Sequence, residues 1–502
     1  MSVPPASTGN SHDRDAKATS APESADVGIS SIEKSGSNDS SRTSVTSRLP
    51  SDESLRLIET AAPRNLFLLA AYEIVLRVSW IFKTESVIIP AFLDTLTGGA
   101  GVARGLLPLL SRTGQSIVPL LIADRLRDAP RKSRSLGRST MLMSLLFSLA
   151  ALIAALRPTS LAPFLSPLFL LVYVAFFAAT GVNQLVTGTV QGKLVRVDRR
   201  GRLQGISGVL GSVAAISAAL LWLQQWLNWP DGSGFVPIFV FTAAGFALAA
   251  LLTPLLIEPA DTATSRPRLS SLQLFHSAWA IYCSDQSFRR GARVAMLLIS
   301  VVLLFPHFQW LARQQYGAEH DRLVMWVVVQ NIGVAVFSSL FGWLADRWGN
   351  RVTIRLQCIV VAMAPIAAIT LTHPAVDPEF GRQWYWIVFL LLGVSPVAMR
   401  TISNYTLELA PPAEHPRYLS TMRICYLMPL LLAPGIGLLL DLFPATDHTK
   451  AMVVFGMVTI AISLGGVLTI WMAEPRFVND ETASIEQRLN AQNAEQDVRE
   501  TP

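Results

Sequence analysis

The sequence contains long runs of apolar residues that no charged side chain interrupts. Two of them cover residues 141–156 and 165–179. Hydrophobic residues make up 51% of the 502 residues and charged residues only 15%, whereas an average soluble protein is about 25% charged. Uncharged runs of this length are not needed in a soluble core. The sequence therefore excludes a disordered chain, a disulfide scaffold and an ordinary soluble enzyme, and it predicts a polytopic membrane protein.

Twelve segments are long enough to cross a bilayer. A hydrocarbon core of about 30 Å requires about 20 apolar residues in a helix. Candidate spans 1 to 12 lie at 65–90, 102–122, 139–157, 164–188, 204–227, 234–257, 292–312, 323–345, 353–372, 385–407, 424–441 and 450–473. Because backbone groups in lipid must be satisfied within the segment, we expect helices. The predicted fold class is an all-α polytopic membrane protein.

Polar segments divide the chain. Residues 1–62 are rich in Ser and Thr and cannot bury enough apolar surface to fold alone, so we predict a disordered cytoplasmic tail without a signal peptide. Two six-helix bundles are expected at 63–257 and 291–473. A cytoplasmic linker with an interfacial helix is expected at 258–290, since its apolar residues recur three or four apart. A polar cytoplasmic tail is expected at 474–502.

Basic residues are concentrated in alternate connections. The connections after spans 2, 4, 6 and 8 carry clusters of Lys and Arg, whereas 94–101 and 227–235 contain none. Lys and Arg in short loops mark the cytoplasmic side of a membrane protein. We therefore predict a multi-pass protein of the cytoplasmic (inner) membrane with both termini cytoplasmic. The net charge of +6 is explained by this topology, and no nucleic-acid partner is expected.

The chain repeats itself at equivalent positions of its two halves. The connection after span 2 reads Ala-Asp-Arg at Asp124 and Arg125, and the connection after span 8 reads the same at Asp346 and Arg347. Two similar six-helix bundles around a site near the middle of the membrane are typical of transporters. The repeat therefore favours a pseudo-symmetric transporter.

The second copy carries a family resemblance. Residues 342–351 read GWLADRWGNR and closely resemble the signature loop of the major facilitator superfamily, G-x-L-A-D-R-x-G-R/N-R/K. The resemblance covers about 63–474 and implies a fold of twelve helices in two pseudo-symmetric bundles. It also implies that Asp346 latches the cytoplasmic face in one state of alternating access. The alternative is that the loop only sets topology. The first-half copy has lost both glycines of the pattern.

The residue types in this loop suggest separate roles. Gly342 is expected to allow close helix approach, and Gly349 a sharp turn after a helix end. Asp346 can accept hydrogen bonds from a helix N-terminus or an arginine. Arg347 and Arg351 are expected at anionic headgroups.

Charged residues inside spans are costly and therefore suggest a functional site. Glu73 and Arg77 in span 1 are four residues apart and share one helical face. We expect this face to line a cavity, although a structural ion pair is an equal alternative. Glu73 is also the candidate for proton coupling, because burial can make a carboxyl take up a proton.

Further candidates follow from the resemblance, which implies that helices 1, 4, 7 and 10 line the central cavity. They are Asn183, Gln184, His307, Arg400 and Asn404. The alternative for each is a hydrogen bond between helices. Arg400 would suit an anionic group on a substrate.

These observations predict a secondary active transporter that works by alternating access. We expect a small anionic or zwitterionic solute, H⁺ or Na⁺ as the coupling ion, and a functional monomer in the lipid bilayer. The alternative is a non-transporting membrane receptor or scaffold on the same fold. The histidines show no zinc-protease spacing, there is no nucleotide-binding loop, and the three cysteines share no metal-binding spacing. We therefore expect no enzyme activity, no metal and no cofactor.

Overall fold

The computed structural model describes residues 52–127, 129–157, 162–260, 271–317, 320–410, 414–443 and 446–474. Within these residues all regular structure is helical. The α-helices are Asp52–Ile81, Ile88–Thr97, Gly101–Arg127, Lys132–Leu156, Ala162–Leu194, Val197–Ala218, Gln224–Leu227, Phe235–Leu252, Ser271–Ser284, Gln286–Ile299, Phe305–Tyr316, His320–Leu371, Pro378–Trp384, Trp386–Leu392, Val394–Leu409, His415–Leu430, Ala433–Leu442 and Asp447–Leu468.

Twelve membrane spans are present in the described part of the chain. Ten helical segments are long and apolar enough to cross a membrane. One of them, Arg322–Leu371, contains two spans, because Gly349 interrupts it with a φ of 83° and a ψ of 164°. The helix Asp52–Ile81 adds the last span, and Glu73 and Arg77 make it less apolar than the others. The predicted all-α fold with twelve transmembrane helices is confirmed.

Spans 1 and 7 are both broken. The helix of span 1 ends at Ile81 and resumes at Ile88, where the sequence pattern predicted one continuous segment. Span 7 consists of Gln286–Ile299, a short 3₁₀ turn at Ser300–Leu304, and Phe305–Tyr316. Pro306 lies at the start of this last helix, as its inability to continue a helix predicts. Broken helices at equivalent positions of two repeats are typical of transporter binding sites.

The end of the bundle that holds the connections after spans 2, 4, 6 and 8 is called the basic end, and the other the far end. The helix of span 3 already begins at Lys132, so the basic residues 132–138, expected in a loop, lie in its first turns. The Glu258 carboxylate accepts hydrogen bonds from the backbone N–H groups of Lys132 (2.9 Å) and Ser133 (2.7 Å) and from Lys193 Nζ (2.9 Å). This carboxylate therefore joins the ends of spans 3, 4 and 6.

The same contacts determine the ionisation of Glu258. Burial raises the pKa of its carboxyl, but the hydrogen bonds from Ser133, Lys193 and Lys132 outweigh burial. The pKa is therefore lowered from its ordinary value of 4.5, because these donors stabilise the charged form.

The linker after span 6 contains a helix, Ser271–Ser284. Phe275 and Trp279 are exposed on it. Asp285 follows the helix and joins two spans, since its carboxylate accepts hydrogen bonds from the Phe288 backbone N–H (2.9 Å) and from the Tyr418 hydroxyl (2.8 Å). Residues 261–270 lie outside the described residues.

The predicted tails are outside the described residues for the most part, namely 1–51 and 475–502. The segment 52–62 differs from the expected disordered tail, because it is helical and continuous with span 1. Its Glu, Leu and Ala residues are good helix formers. The helix was not predicted because the segment was grouped with the polar residues that precede it.

Candidate substrate site between the two halves

Two adjoining cavities lie between the halves of the bundle. The Lys83 cavity has a volume of about 370 Å³ and is lined by residues of spans 1, 2, 4, 7, 8 and 10. The Arg77 cavity has a volume of about 500 Å³ and is lined by residues of spans 1, 5, 8 and 10. Trp80 and Thr84 belong to both walls. Because each cavity is lined by both halves, a movement of the halves would change both.

Glu73, Arg77 and Arg400 line the Arg77 cavity. Glu73 accepts hydrogen bonds from the Gln191 side-chain amide of span 4 and from the Ser207 hydroxyl of span 5. Arg400 donates to the Ser338 hydroxyl at 3.2 Å. The face that Glu73 and Arg77 share in the sequence therefore turns towards a cavity, and the carboxylate binds neutral groups on two other spans.

The break in span 1 places charged side chains in the Lys83 cavity. The Lys83 side chain is only 2% exposed, and its ammonium lies 3.5 Å from the ring centroid of Trp80 and 4.4 Å from that of Phe177. Glu85 lies 4.0 Å from this ammonium and 3.8 Å from the guanidinium of Arg112. A backbone that leaves the helix can direct Lys83 and Glu85 into the space that Arg112 of span 2 also lines.

A second polar contact of this break joins the two halves. The Ser86 hydroxyl donates to the side-chain oxygen of Gln330 in span 8 at 2.6 Å. Both side chains are buried and both line the Lys83 cavity.

At the far end the halves are joined by two aspartates. Asp94 accepts a hydrogen bond from Arg104 of its own half (2.8 Å) and forms an ion pair with Arg313 of the other half (3.6 Å). Asp441, at the end of span 11, accepts hydrogen bonds from the backbone N–H groups of Gly101 (2.7 Å) and Val102 (3.0 Å) at the start of span 2. An anion at a helix N-terminus is stabilised by the unpaired N–H groups there.

Small residues allow backbone contact between spans 2 and 11 next to Asp441. A Cβ at Gly105 would lie 2.3 Å from the Ala433 carbonyl oxygen, and a Cβ at Gly437 would lie 2.1 Å from that of Gly101. The two halves are therefore tightly packed at the far end.

The other candidate residues are placed differently. Gln184 lines the Lys83 cavity. Asn183 donates to the hydroxyls of Tyr72 and Thr140, both at 2.8 Å, within its own half and outside both cavity walls. Asn404 is exposed and belongs to neither wall. His307 is fully buried, packs edge-on against Trp310, and has no hydrogen-bond partner at either ring nitrogen within the described residues.

The signature loop lies at the basic end. Gly349 has the positive φ that its predicted turn requires. Gly342 does not serve close helix approach, because a Cβ there would meet no other atom within 4 Å. Arg351 donates to the carbonyls of Thr469 (3.0 Å) and Ile470 (2.7 Å) at the end of span 12, so it caps a helix instead of extending to headgroups.

Two other charged residues of the loop, Asp346 and Arg347, are exposed. The Arg347 guanidinium lies 6.0 Å from the Trp343 ring centroid. In the first-half copy Arg125 is exposed, and the side chain of Asp124 lies outside the described residues.

Lys83, Glu85 and Arg112 are not among the site residues predicted from the sequence. The available signal was the polar run from Lys83 to Ser86 inside an apolar segment. Charged residues within a span are rarely placed without a function, and the run marks the point where the helix breaks.

Comparison with known proteins assigns the family. The model of the Major Facilitator Superfamily matches residues 133–434. The chain belongs to this superfamily. It is therefore a multi-pass integral membrane protein, and its family and fold are those of transporters, which are not enzymes.

Solved structures share the fold at low sequence identity. A mutant of the nucleoside transporter NupG is 13% identical with a TM-score of 0.62, and the match covers 81% of this chain and 99% of that one. A D-xylose–proton symporter is 12% identical with a TM-score of 0.61, covering 82% and 99%. A POT family transporter in complex with 5-aminolevulinic acid is 12% identical with a TM-score of 0.59, covering 82% and 97%. No curated protein matches the sequence.

Proposed function

We propose that the protein is a secondary active transporter for a small anionic or zwitterionic solute. The observation that carries this proposal is the charge of the two cavities between the halves. Their walls contain four basic side chains, Lys83, Arg77, Arg112 and Arg400, and two acidic ones, Glu73 and Glu85. With all six ionised, the site has a net charge of +2 by this count. Buried charges are stable only when they are paired, and an anionic solute would supply the missing partner.

Proton coupling at Glu73 is part of this proposal. Its carboxylate accepts from Gln191 and Ser207, both neutral, so it can exchange a proton without breaking an internal ion pair. The fold neighbour that is a D-xylose–proton symporter supports H⁺ over Na⁺ as the coupling ion.

Alternating access would require the far end to open. Asp94, Arg313 and Asp441 bridge the halves there in this structure, and Asp346 is the proposed latch at the basic end. We propose that the basic end is cytoplasmic, in the inner membrane, with both termini on that side and a monomer as the functional unit.

Uptake into proteoliposomes tests the function. An imposed pH gradient or Na⁺ gradient would be combined with labelled phenylacetate, alanine and glucose as anionic, zwitterionic and neutral probes. We expect H⁺-driven uptake of a charged probe that Arg400→Ala abolishes. The matched control is Arg382→Ala, since Arg382 forms a local pair with exposed Glu379 outside both cavities. No uptake of any probe under either gradient would favour the receptor or scaffold.

The latch is tested separately with Asp346→Asn. We expect this variant to retain expression and orientation but to lose most gradient-driven uptake. The reason is that an uncharged amide cannot form the ionic contacts that would stabilise the closed state of the basic end. Unchanged uptake would remove the latch role and leave the loop as a topology signal.

A further inference from the structure

The three charged groups of the Lys83 cavity are close together but incompletely paired. The two contacts of Glu85, at 4.0 Å to Lys83 and 3.8 Å to Arg112, are longer than hydrogen bonds, which extend to about 3.2 Å for N–H···O. One carboxylate therefore faces two cations without a hydrogen bond to either. With all three groups ionised, the cluster carries one excess positive charge inside the protein.

Hydrogen-bonding capacity is also unused around this charge. Within the described residues the Lys83 ammonium donates no hydrogen bond and lies on aromatic rings. The Arg112 Nε and the Ser395 hydroxyl are also buried, and neither has a hydrogen-bond partner among the residues that the structure describes. Ser395 is 4% exposed and lines the same cavity from span 10. Buried polar groups are nearly always hydrogen-bonded, so these donors are complementary to an acceptor that binds from the cavity.

The remainder of the wall combines polar side chains, including three glutamines, with a patch of apolar ones. Trp80 and Phe177 of the first half face Val302, Phe305 and Met399 of the second. The volume of 370 Å³ is at the small end of the range of about 300–1,000 Å³ for ligand pockets. The cavity therefore has room for a compact solute with one charged group, and its apolar patch can pack against an apolar body.

We propose that Lys83 and Arg112 bind the carboxylate of a monoanionic substrate whose apolar body packs against Trp80, Phe177 and Phe305. This rests on the proposed function and assigns its substrate class. Ser395 donates to the same carboxylate from the other half. Glu85 competes for the two cations when the site is empty and holds them near the substrate position.

Because Glu85 competes with the substrate, substitutions at neighbouring residues should shift the affinity in opposite directions. A purely structural role of these residues would not produce such opposite shifts. Lys83→Met and Arg112→Gln each remove a charge-assisted hydrogen bond, worth about 1.5–3 kcal/mol, so carboxylate binding weakens about ten- to a hundredfold. Glu85→Gln removes the competing anion and strengthens binding. Opposite shifts in neighbouring side chains distinguish ligand contacts from general damage to the fold.

Binding is measured on the full chain in nanodiscs by isothermal titration, with phenylacetate as the probe. Phenylacetamide is its neutral counterpart, phenethylammonium the cationic one, and succinate the dianionic one. Lys193→Met is the matched control, because Lys193 is likewise a lysine paired with a glutamate, although it is 17% exposed and lies at the basic end. Melting temperatures show which variants are folded.

We expect phenylacetate to bind, the other three probes to bind at least about tenfold more weakly, and Lys193→Met to leave the affinity unchanged. The proposal is overturned if the parent protein does not bind phenylacetate or binds phenylacetamide or succinate as well. It is also overturned if folded Arg112→Gln keeps the parent affinity or if Glu85→Gln does not raise it. Should Lys83→Met fail to fold, the other two variants decide.

Gradient-driven uptake separates this proposal from the proposed function. Binding of phenylacetate without its uptake would support the proposed binding site and contradict the proposed transport. Uptake that Arg112→Gln leaves intact would retain transport and contradict the site.

Discussion

The aspartate that joins spans 2 and 11 at the far end allows the clearest perturbation. Asp441 accepts hydrogen bonds from the Gly101 and Val102 backbone N–H groups at 2.7 and 3.0 Å. Both bonds cross between the halves, so they exist only while this end is closed. In an open state water would solvate the carboxylate and the two N–H groups instead. Asp441→Ala should therefore destabilise the closed state and leave the open state nearly unchanged.

The size of the effect follows from the bonds lost. A hydrogen bond to a charged group contributes about 1.5–3 kcal/mol, and solvent screening reduces this for the exposed contact with Val102. We take about 2 kcal/mol for the two bonds together. This corresponds to a shift of about thirtyfold in the ratio of closed to open molecules.

Distances between spin labels at Thr95→Cys and Phe443→Cys would report this ratio by pulsed electron resonance, after replacement of exposed Cys283. We expect Asp441→Ala to add a longer distance to the distribution. The matched control is Glu379→Ala, which removes an acidic side chain at the same end. Glu379 is 64% exposed and pairs with Arg382 of its own helix, so this pair does not join the halves. Identical distributions for parent and Asp441→Ala, with both proteins folded, would refute this reasoning.

Three further predictions concern packing and protonation. Gly349→Ala should lower the free energy of unfolding by about 1–3 kcal/mol, because Gly349 has a φ of 83° and a Cβ there would lie 2.6 Å from the Glu474 carboxylate. The control Gly342→Ala places its methyl group in open space and should change the melting temperature little. Equal effects of the two substitutions would contradict this prediction. The Glu258 carboxylate stabilises the fold above its unfolded-state pKa of about 4.5, and this stabilisation is lost as the pH falls through its lowered folded-state pKa. Glu258→Gln should therefore lower the melting temperature at pH 7 and narrow the difference in melting temperature between pH 7 and pH 3. Equal melting curves for the parent and the variant would contradict this role of Glu258. Gly105→Val should separate spans 2 and 11 at Ala433 and lengthen the same spin-label distance, and an unchanged distance would show that the contact does not hold the end closed.

The number of spans could be predicted from the sequence because the membrane requires a nearly fixed length of apolar helix. The break in span 1 could not. Residues 82–87 lie between apolar residues on both sides, so hydropathy treats the whole segment as one helix. What ends the helix at Ile81 is its environment, in which Ser86 binds Gln330 and Lys83 packs on aromatic rings of another span.

Part of the site was predictable for a similar reason. Glu73 and Arg77 share a face because they are four residues apart, and the structure turns that face to a cavity. Asn183 and Gln184 show the limit of such reasoning, since adjacent residues of a helix point in different directions. Gln184 lines the cavity, whereas Asn183 binds Tyr72 inside its own half. Which of two neighbours faces the partner bundle depends on contacts that no local pattern contains.

The two halves contribute unequal parts to a pseudo-symmetric site. Spans 1 and 7 break at equivalent positions, but the break in span 1 contains Lys83 and Glu85, whereas the turn 300–304 in span 7 is mostly apolar, with Val302 in the cavity wall. The first half therefore supplies all the charges of the Lys83 cavity, and the second adds apolar side chains that include Phe305. A bound monoanion would be oriented by this asymmetry, with its charged group on the first half and its apolar body between the aromatic rings of the first half and Phe305 of the second. Because it would contact both halves, its binding energy would depend on their separation, which is the coupling between substrate and conformation that alternating access requires.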